Sequence, residues 1–287
     1  MKKILIGFIL VGLFSNVSFS QFSFRFYGGM THVMSNDISS AAKATNELLD
    51  IYDPGHIGYF EKLCCGINFG GELFYSISNN FGVGLGIELI RLKNESHLTY
   101  DLGVPIVGTT AYTIKVFPVM LSVHYSFPIT SLLHAYFSAG AGYYFMNLDH
   151  TADSRLNFGD LGTGTQTFTF QSNRGTFGVH LRWGTEIFVS KKISFLVEGT
   201  GRLAKYSDIK GEWTNKGNNP TDGIFKEKGS NLYFWYYEES ILGKNYAQIV
   251  FSENAPAGVV NIRKGEISLF GLSFTAGIKI GLDLKKK

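Results

Sequence analysis

Residues 182–202 read RWGTEIFVSKKISFLVEGTGR, two segments of alternating polarity joined by Ser190-Lys191-Lys192. In the first segment Trp183, Ile187 and Val189 alternate with Arg182 and Glu186; in the second, Ile193, Phe195 and Val197 alternate with positions that include Glu198 and Arg202. Period two is the geometry of a β-strand, whose successive side chains point to opposite faces. Directly opposed residues of an antiparallel pair share a face, so setting Val189 against Ile193 gathers the apolar residues on one side and the four charges on the other. Such a hairpin needs two different environments, one oily and one polar.

The same alternation recurs along the chain. FGVGLGIEL sets Phe81, Val83, Leu85, Ile87 and Leu89 against Gly82, Gly84, Gly86 and Glu88. FPVMLSVHYSF sets Phe117, Val119, Leu121, Val123, Tyr125 and Phe127 against Pro118, Met120, Ser122, His124 and Ser126. LHAYFSAGAGYYF (residues 133–145), FSFRFYGGM (22–30), INFGGELFYSI (67–77), the segment from Phe177 to Val189, ISFLVEGTGRL (193–203) and the segment from Phe270 to Leu282 complete eight strands. An even number permits a closed antiparallel ring.

The connections alternate in length. Those after strands two, four and six are Ser78-Asn79-Asn80, residues 128–132 and Ser190-Lys191-Lys192, whereas those after strands one, three, five and seven span residues 31–66, 94–111, 147–174 and 206–266. Pairing Ile77 with Phe81, Phe127 with Leu133 and Val189 with Ile193 satisfies one inside/outside assignment at all three short links. In the first long link SSAAKATNELLDIY predicts a short helix capped by Ser39 or Ser40 and stopped before Asp53-Pro54-Gly55. In the last, NLYFWYYEES predicts an extension of the sheet beyond the membrane.

Composition decides which face is outside. The apolar face carries Phe, Val, Leu, Ile and Trp; the other mixes Gly, Ser and His with a few charges. A soluble eight-stranded barrel would turn the apolar set inward and cover itself with Lys and Glu. The glycine-rich polar face here suits a cramped interior, and the apolar face suits lipid, which a backbone crosses only as helices or a closed barrel. The fold class is therefore all-β, a closed eight-stranded antiparallel up-and-down transmembrane barrel with long extracellular loops. Tyr75, Phe81, Tyr125 and Phe127 fall near the short-turn end, and Phe117, Tyr143, Phe145 and Phe177 near the other, as two interfacial girdles.

Lys2 and Lys3, the apolar run ILIGFILVGLF and the small residues Ser18 and Ser20 form a secretory signal over residues 1–20, with cleavage expected before Gln21 and one barrel domain over residues 21–287. Loss of Lys2 and Lys3 lowers the formal net charge from +3 to +1, which gives a nucleic-acid partner no basic surface. With 34 Gly, 15 Tyr and 25 Phe against 6 Pro, the chain favours sheet packing over disordered linkers. The cysteines are Cys64 and Cys65, adjacent and thus unsuited to an ordinary disulfide framework; unpaired residues at a strand entrance are the first reading, a redox or metal role the second.

The inward charges are Arg25, Arg182, Arg202 and Lys279 against Glu72, Glu88, Glu186 and Glu198, four of each sign. An eight-stranded barrel is filled by its own side chains, so these charges are expected to pair as a plug. Glu198 is expected opposite Gly184, in reach of Arg182.

The signal ending SFSQ, the unit IKVFPVMLSVHYSFPITSLLHAYFSAGAGYYF (residues 114–145) and the terminal FGLSFTAGIKIGL resemble the small eight-stranded outer-membrane barrels of Gram-negative bacteria, the OmpA-, OmpX- and OmpW-type proteins. The resemblance implies outer-membrane localisation, contact with outer-membrane lipid, and a role in adhesion, envelope structure, small-molecule passage or secretion accessory work. One departure is the ending LDLKKK, which lacks the terminal aromatic residue common in such chains.

No catalytic signature, cofactor motif or metal-ligand spacing stands out. Gly82-x-Gly84-x-Gly86 lacks the strand-to-helix context of a nucleotide-binding turn, and His124, His134 and His180 read as hydrogen-bonded lumen residues. A non-enzymatic barrel presenting loops to a surface or envelope protein partner is the favoured function. A narrow or lateral path for small apolar solutes and an envelope accessory role are the alternatives. Tyr233, Phe234, Trp235 and Tyr237 are candidate loop contacts, either exposed or packed into an extended hairpin.

Overall fold

Eight strands close into a ring in the computed structural model, which describes residues 22–34, 36–101, 103–219, 223–239, 244–255 and 260–282. The expected signal peptide, Gln21 and the Lys285 to Lys287 tail lie outside the described residues. The ring runs β1 (Phe22–Val33), β2 (Cys65–Ser76), β3 (Phe81–Asp101), β4 (Pro105–Pro128), β5 (Leu133–Asn157), β6 (Thr163–Phe188), β7 (Ile193–Tyr206) and β13 (Gly271–Gly281), which pairs back to β1. Every neighbouring pair is antiparallel.

One row of opposed residues traces the stagger. It passes from Ser23 through Phe74, Gly84, Ser122, Gly140, His180, Arg202 and Gly271, and returns to β1 at Val33, ten residues further along. Such a stagger obliges the strands to tilt.

The three short turns are built alike. Ile77, Ile129 and Val189 each donate a backbone N–H to the carbonyl of Phe81, Leu133 and Ile193, at 2.9, 2.9 and 3.0 Å. The first turn residue is Ser78, Thr130 or Ser190, and its hydroxyl accepts the N–H of the residue closing the turn at 3.1 Å in all three cases. This side-chain cap turns the chain without glycine. At the middle turn the structure corrects the expected pair: Leu133 closes on Ile129, and Phe127 faces Ala135. Thr130 makes the tight turn at this position, which carries the pairing two residues further along β4.

Around the lower half, outward residues such as Phe26, Leu85, Leu121, Phe137, Leu181, Val197 and Phe274 are all more than half exposed. An apolar surface continuous around a molecule is not tolerated in water by monomeric proteins. Outward residues on β4 from Phe117 to Phe127 cover ten strand steps, about 25 Å at a rise of about 3.3 Å and a tilt of roughly 40°, the height of a lipid-facing barrel band. The lower half is a transmembrane barrel.

The long connections contain regular structure. The β3–β4 and β5–β6 hairpins stay paired as far as Asp101↔Pro105 and Asn157↔Thr163, so residues 94–111 and 147–174 are largely strand and not loop. Above the point where β7 ends, β8 (Lys210–Asn219) takes its place beside β6 and begins a branch with β9 (Gly223–Glu239) and β10 (Lys244–Ser252). β11 (Val260–Lys264) pairs with β9, and β12 (Ile267–Ser268) with the end of β7.

Helix α1 (Asp37–Tyr52) packs on β10 and stops before Asp53-Pro54-Gly55. Its N-cap is Asn36, which accepts the Ser39 N–H at 2.7 Å and donates to the Leu63 carbonyl at 2.9 Å. The expected caps Ser39 and Ser40 thus lie inside the first turn; Asn36 is the extended residue before it and satisfies the helix end, and the Ser39 hydroxyl joins it on the Leu63 carbonyl at 3.3 Å.

Polarity inverts along the strands. On β3, outward Leu89 is followed by exposed Arg91, Lys93, Glu95 and His97, while inward Glu88 is followed by buried Ile90 and Leu92. β4 and β5 do the same at Val116-Phe117 and Phe145-Met146. Register puts these changes on one level, Ile90↔Val116↔Met146. Above it Ile38, Leu63, Leu92, Ile114, Leu148 and Phe170 form an ordinary buried core inside the ring. This upper half is a water-facing head on the membrane barrel.

Candidate functional site

From the short-turn end the lumen opens as a vestibule of about 370 Å³, walled by Phe74, His134, Phe188, Glu186 and Lys279. Lys279 and Glu186 pair at 3.0 Å at its side, and Ser194 donates to the same carboxylate at 2.6 Å. The vestibule ends on Arg25, His124 and Tyr136.

There Arg25 bridges two acids, reaching Glu72 and Glu198 at 2.9 Å each. Arg182 reaches Glu72 at 3.1 Å. The remaining acceptor sites of the two carboxylates are also used: His124 Nε2 lies 3.0 Å from Glu72, Thr275 donates to Glu198 at 3.2 Å, and the Tyr136 hydroxyl donates to Glu198. Because His124 Nδ1 faces the Arg25 guanidinium at 3.4 Å, the network assigns the proton to Nε2, donating to Glu72. The Arg25 and Arg182 guanidinium groups lie 4.9 and 5.2 Å from the ring centres of Tyr136 and Tyr27. One level up, Arg202 pairs with Glu88 and bonds to Ser273, while Asn68 donates to Glu88 at 2.6 Å.

All eight inward charges are therefore in ion pairs across or around the lumen. The structure corrects one partner: Glu198 does lie opposite Gly184, but its ion pair is with Arg25 across the lumen. Arg182 is turned toward Glu72, because stagger brings β2 and β6 side chains to the same height. Glycine makes room for the acids. A Cβ on Gly84 would sit 2.1 Å from Glu72 Oε1, and one on Gly184 would sit 2.9 Å from the Tyr136 hydroxyl.

The three lumen histidines do not converge. His124 serves Glu72, His180 lies 2.9 Å from Ser122, and His134 packs its ring on Phe188 at 4.7 Å. Ser122 and His180 are at nucleophile-to-base distance, but both are buried and His180 Nδ1 has no hydrogen-bond partner among the described residues. A triad would need an acid there. Gly82, Gly84 and Gly86 line the lumen wall on β3.

Of the candidate loop contacts, Phe234 takes the packed alternative. It is buried with Ala44, Tyr246 and Ala247, and the Arg263 guanidinium lies 4.3 Å from its ring centre, because α1 packs on this side of β9 and β10. Tyr233 and Trp235 are half-buried, and the side chain of Tyr237 lies outside the described part of the structure. Among the described residues of this stretch Tyr236 is the exposed aromatic.

Sequence reasoning missed the head's polar and aromatic centre. His150 stacks parallel on Tyr112 at 4.0 Å, bonds to Thr110 at 3.0 Å and contacts Phe168 and Phe251. Burial pushes its pKa down to about 3, so the ring is neutral. Beside it lies a cavity of about 280 Å³, lined in part by Phe60, Tyr100, Thr110, Tyr112 and Phe168. The signal that could have located this region is the slip in alternation at Leu89-Ile90, Val116-Phe117 and Phe145-Met146.

A closed ring with an oily exterior and a charge-filled lumen is the architecture of an outer-membrane β-barrel. No family model matches the sequence, and no curated protein matches it. Among solved structures the chain is similar to Neisserial surface protein A, at 11% identity over 91% of this chain and 96% of that one, with a TM-score of 0.34. It is similar to the outer membrane protein OprG from Pseudomonas aeruginosa, at 12% identity over 91% and 95% of the two chains, with a TM-score of 0.34. Acinetobacter baumannii CarO aligns at 11% identity over 79% and 95%, with a TM-score of 0.31. The fold assignment rests on the closed ring of strand pairs.

Proposed function

We propose that the protein is a non-conducting, non-enzymatic outer-membrane barrel whose working part is its folded head, displayed to bind a surface or envelope partner. One observation carries this reading: the vestibule ends at the Arg25, Glu72, Glu198 and Arg182 layer, and the apolar core of the head fills the ring above it. An ion entering from the short-turn end meets paired charges and then hydrocarbon. The head offers an exposed Tyr236 and the cavity beside His150 as contact features. That His180 Nδ1 meets no acid among the described residues supports a non-catalytic role for the Ser122–His180 pair, as does the burial of that pair.

The test is electrical. Protein folded in detergent and inserted into planar bilayers should give no steady conductance above the bare membrane. Long-lived steps of uniform size would overturn the reading. Hydrolysis of phospholipid by the same preparation would overturn its non-enzymatic part.

A further inference from the structure

We propose that His32, Cys64 and Cys65 form a binding site for a monovalent thiophilic cation, Cu(I), on the outer wall of the barrel just above the apolar belt. Register creates the site. His32 on β1 is directly opposed to Cys65 on β2, both exposed, with Nδ1 3.4 Å from Sγ. The Cys64 sulfur lies 3.1 Å from that of Cys65, and the three donor atoms fall within 4.8 Å of one another. A metal about 2.0–2.3 Å from nitrogen and sulfur donors requires this kind of separation. The backbone is anchored on both sides of the site, since the Val33 N–H donates to the Cys64 carbonyl at 2.6 Å.

Donor chemistry selects the ion. The cluster has two thiols and an imidazole, and among the described residues no carboxylate belongs to it. Thiolate and thioether ligands favour soft or borderline ions, Cu(I) and zinc among them, whereas hard cations need oxygen. Met30 on β1 and Met34 just past its end flank His32, each two residues away and thus roughly 7 Å along the extended chain. They are 73% and 51% exposed, which leaves two thioethers on the same side of the chain as the site. Structural zinc usually completes a tetrahedron of four strong ligands, and among the described residues this cluster offers three. Each thiol gives its proton to solvent as it becomes a thiolate ligand, so binding strengthens with rising pH.

The test uses the full mature chain, folded in detergent, reduced and kept anaerobic, titrated with Cu(I) held by a coloured chelator such as bicinchoninate. The expected result is one copper withdrawn per chain, with both thiols then shielded from iodoacetamide. Affinity should fall at least tenfold in His32→Gln and be lost in the Cys64→Ser/Cys65→Ser double variant. These side chains lie on the barrel's outer edge, and the heat-dependent gel shift of a folded barrel will show that each variant is intact. The proposal is overturned if the chelator keeps its copper, if the double variant binds as well as the parent, or if His32→Gln is unchanged. Equal thiol protection by the same concentration of Zn²⁺ would overturn the selectivity.

Discussion

The lower and upper halves of the ring share strands β3 to β6 but solve opposite problems. Below the Ile90, Val116 and Met146 level the exterior is oily and the interior carries paired Arg and Glu; above it the exterior is charged and the interior is Ile, Leu and Phe. The backbone does not change. Only the phase of the alternation does, and it follows the solvent: hydrocarbon accepts no unpaired charge, whereas water drives apolar residues into the ring. The membrane boundary can thus be located from side chains alone.

The largest effect should come from breaking the lower interior. Glu72→Ala leaves Arg25 and Arg182 short of an acceptor and removes the carboxylate partner of His124 Nε2. Loss of one partner from a buried ionic network costs about 3–5 kcal/mol. Urea titration of the refolded barrel should register it as a lower midpoint, and an unchanged midpoint would mean that water, not Glu72, solvates these arginines.

A smaller pair of effects tests the exterior. Leu121→Arg places a charge in the belt and should cost about 2–4 kcal/mol. Lys115→Leu, on the same strand above the belt, should stay within about 0.5 kcal/mol. Equal costs at the two sites would erase the distinction between the halves.

Acid separates them in a different way. The unfolded chain protonates an ordinary histidine near pH 6.5, whereas buried His150 resists protonation until about pH 3. Between those values the unfolded state binds more protons, so the head's stability is full above pH 6.5 and falls as pH drops toward 3. Amide protection factors, with the intrinsic pH dependence of exchange divided out, should therefore fall at pH 5 in β5 and β6 above Met146, with His150→Gln reducing the change. A fall confined to the membrane half would contradict the assignment.

The smallest effect is expected at helix α1. Arg263 holds Asp37 at 2.7 Å from an exposed position, and its loss in Arg263→Ala should cost about 1 kcal/mol or less. Faster proteolysis at α1 without a change in the barrel would match this.

Much of the membrane half could be read from the sequence because period-two alternation, odd turn parity and unequal link lengths agree there. Ion-pair partners could not, since stagger rather than strand order sets which side chains meet: Glu198 finds Arg25 and not the nearby Arg182. The head was harder to read because its alternation is out of phase with the belt. Ile90, Leu92 and Ile114 follow a pattern as regular as that of Leu85 and Ile87, and residues 94–111 look like a loop only if one phase is carried through. Phe234 shows the reverse difficulty: an aromatic residue in a long link resembles a contact until α1 is placed over it.

The inversion is tested most directly by attaching a spin label at Thr113, Lys115, Val119, Leu121 or Val123, each replaced singly by cysteine in a Cys64→Ser/Cys65→Ser background in bilayers. Labels at the last three sites should collide with oxygen and be shielded from a water-soluble nickel complex; the first two should show the opposite. Nickel access at all five sites, or no access to either relaxant at Val119, Leu121 and Val123, would contradict a lipid-facing belt that ends below Lys115.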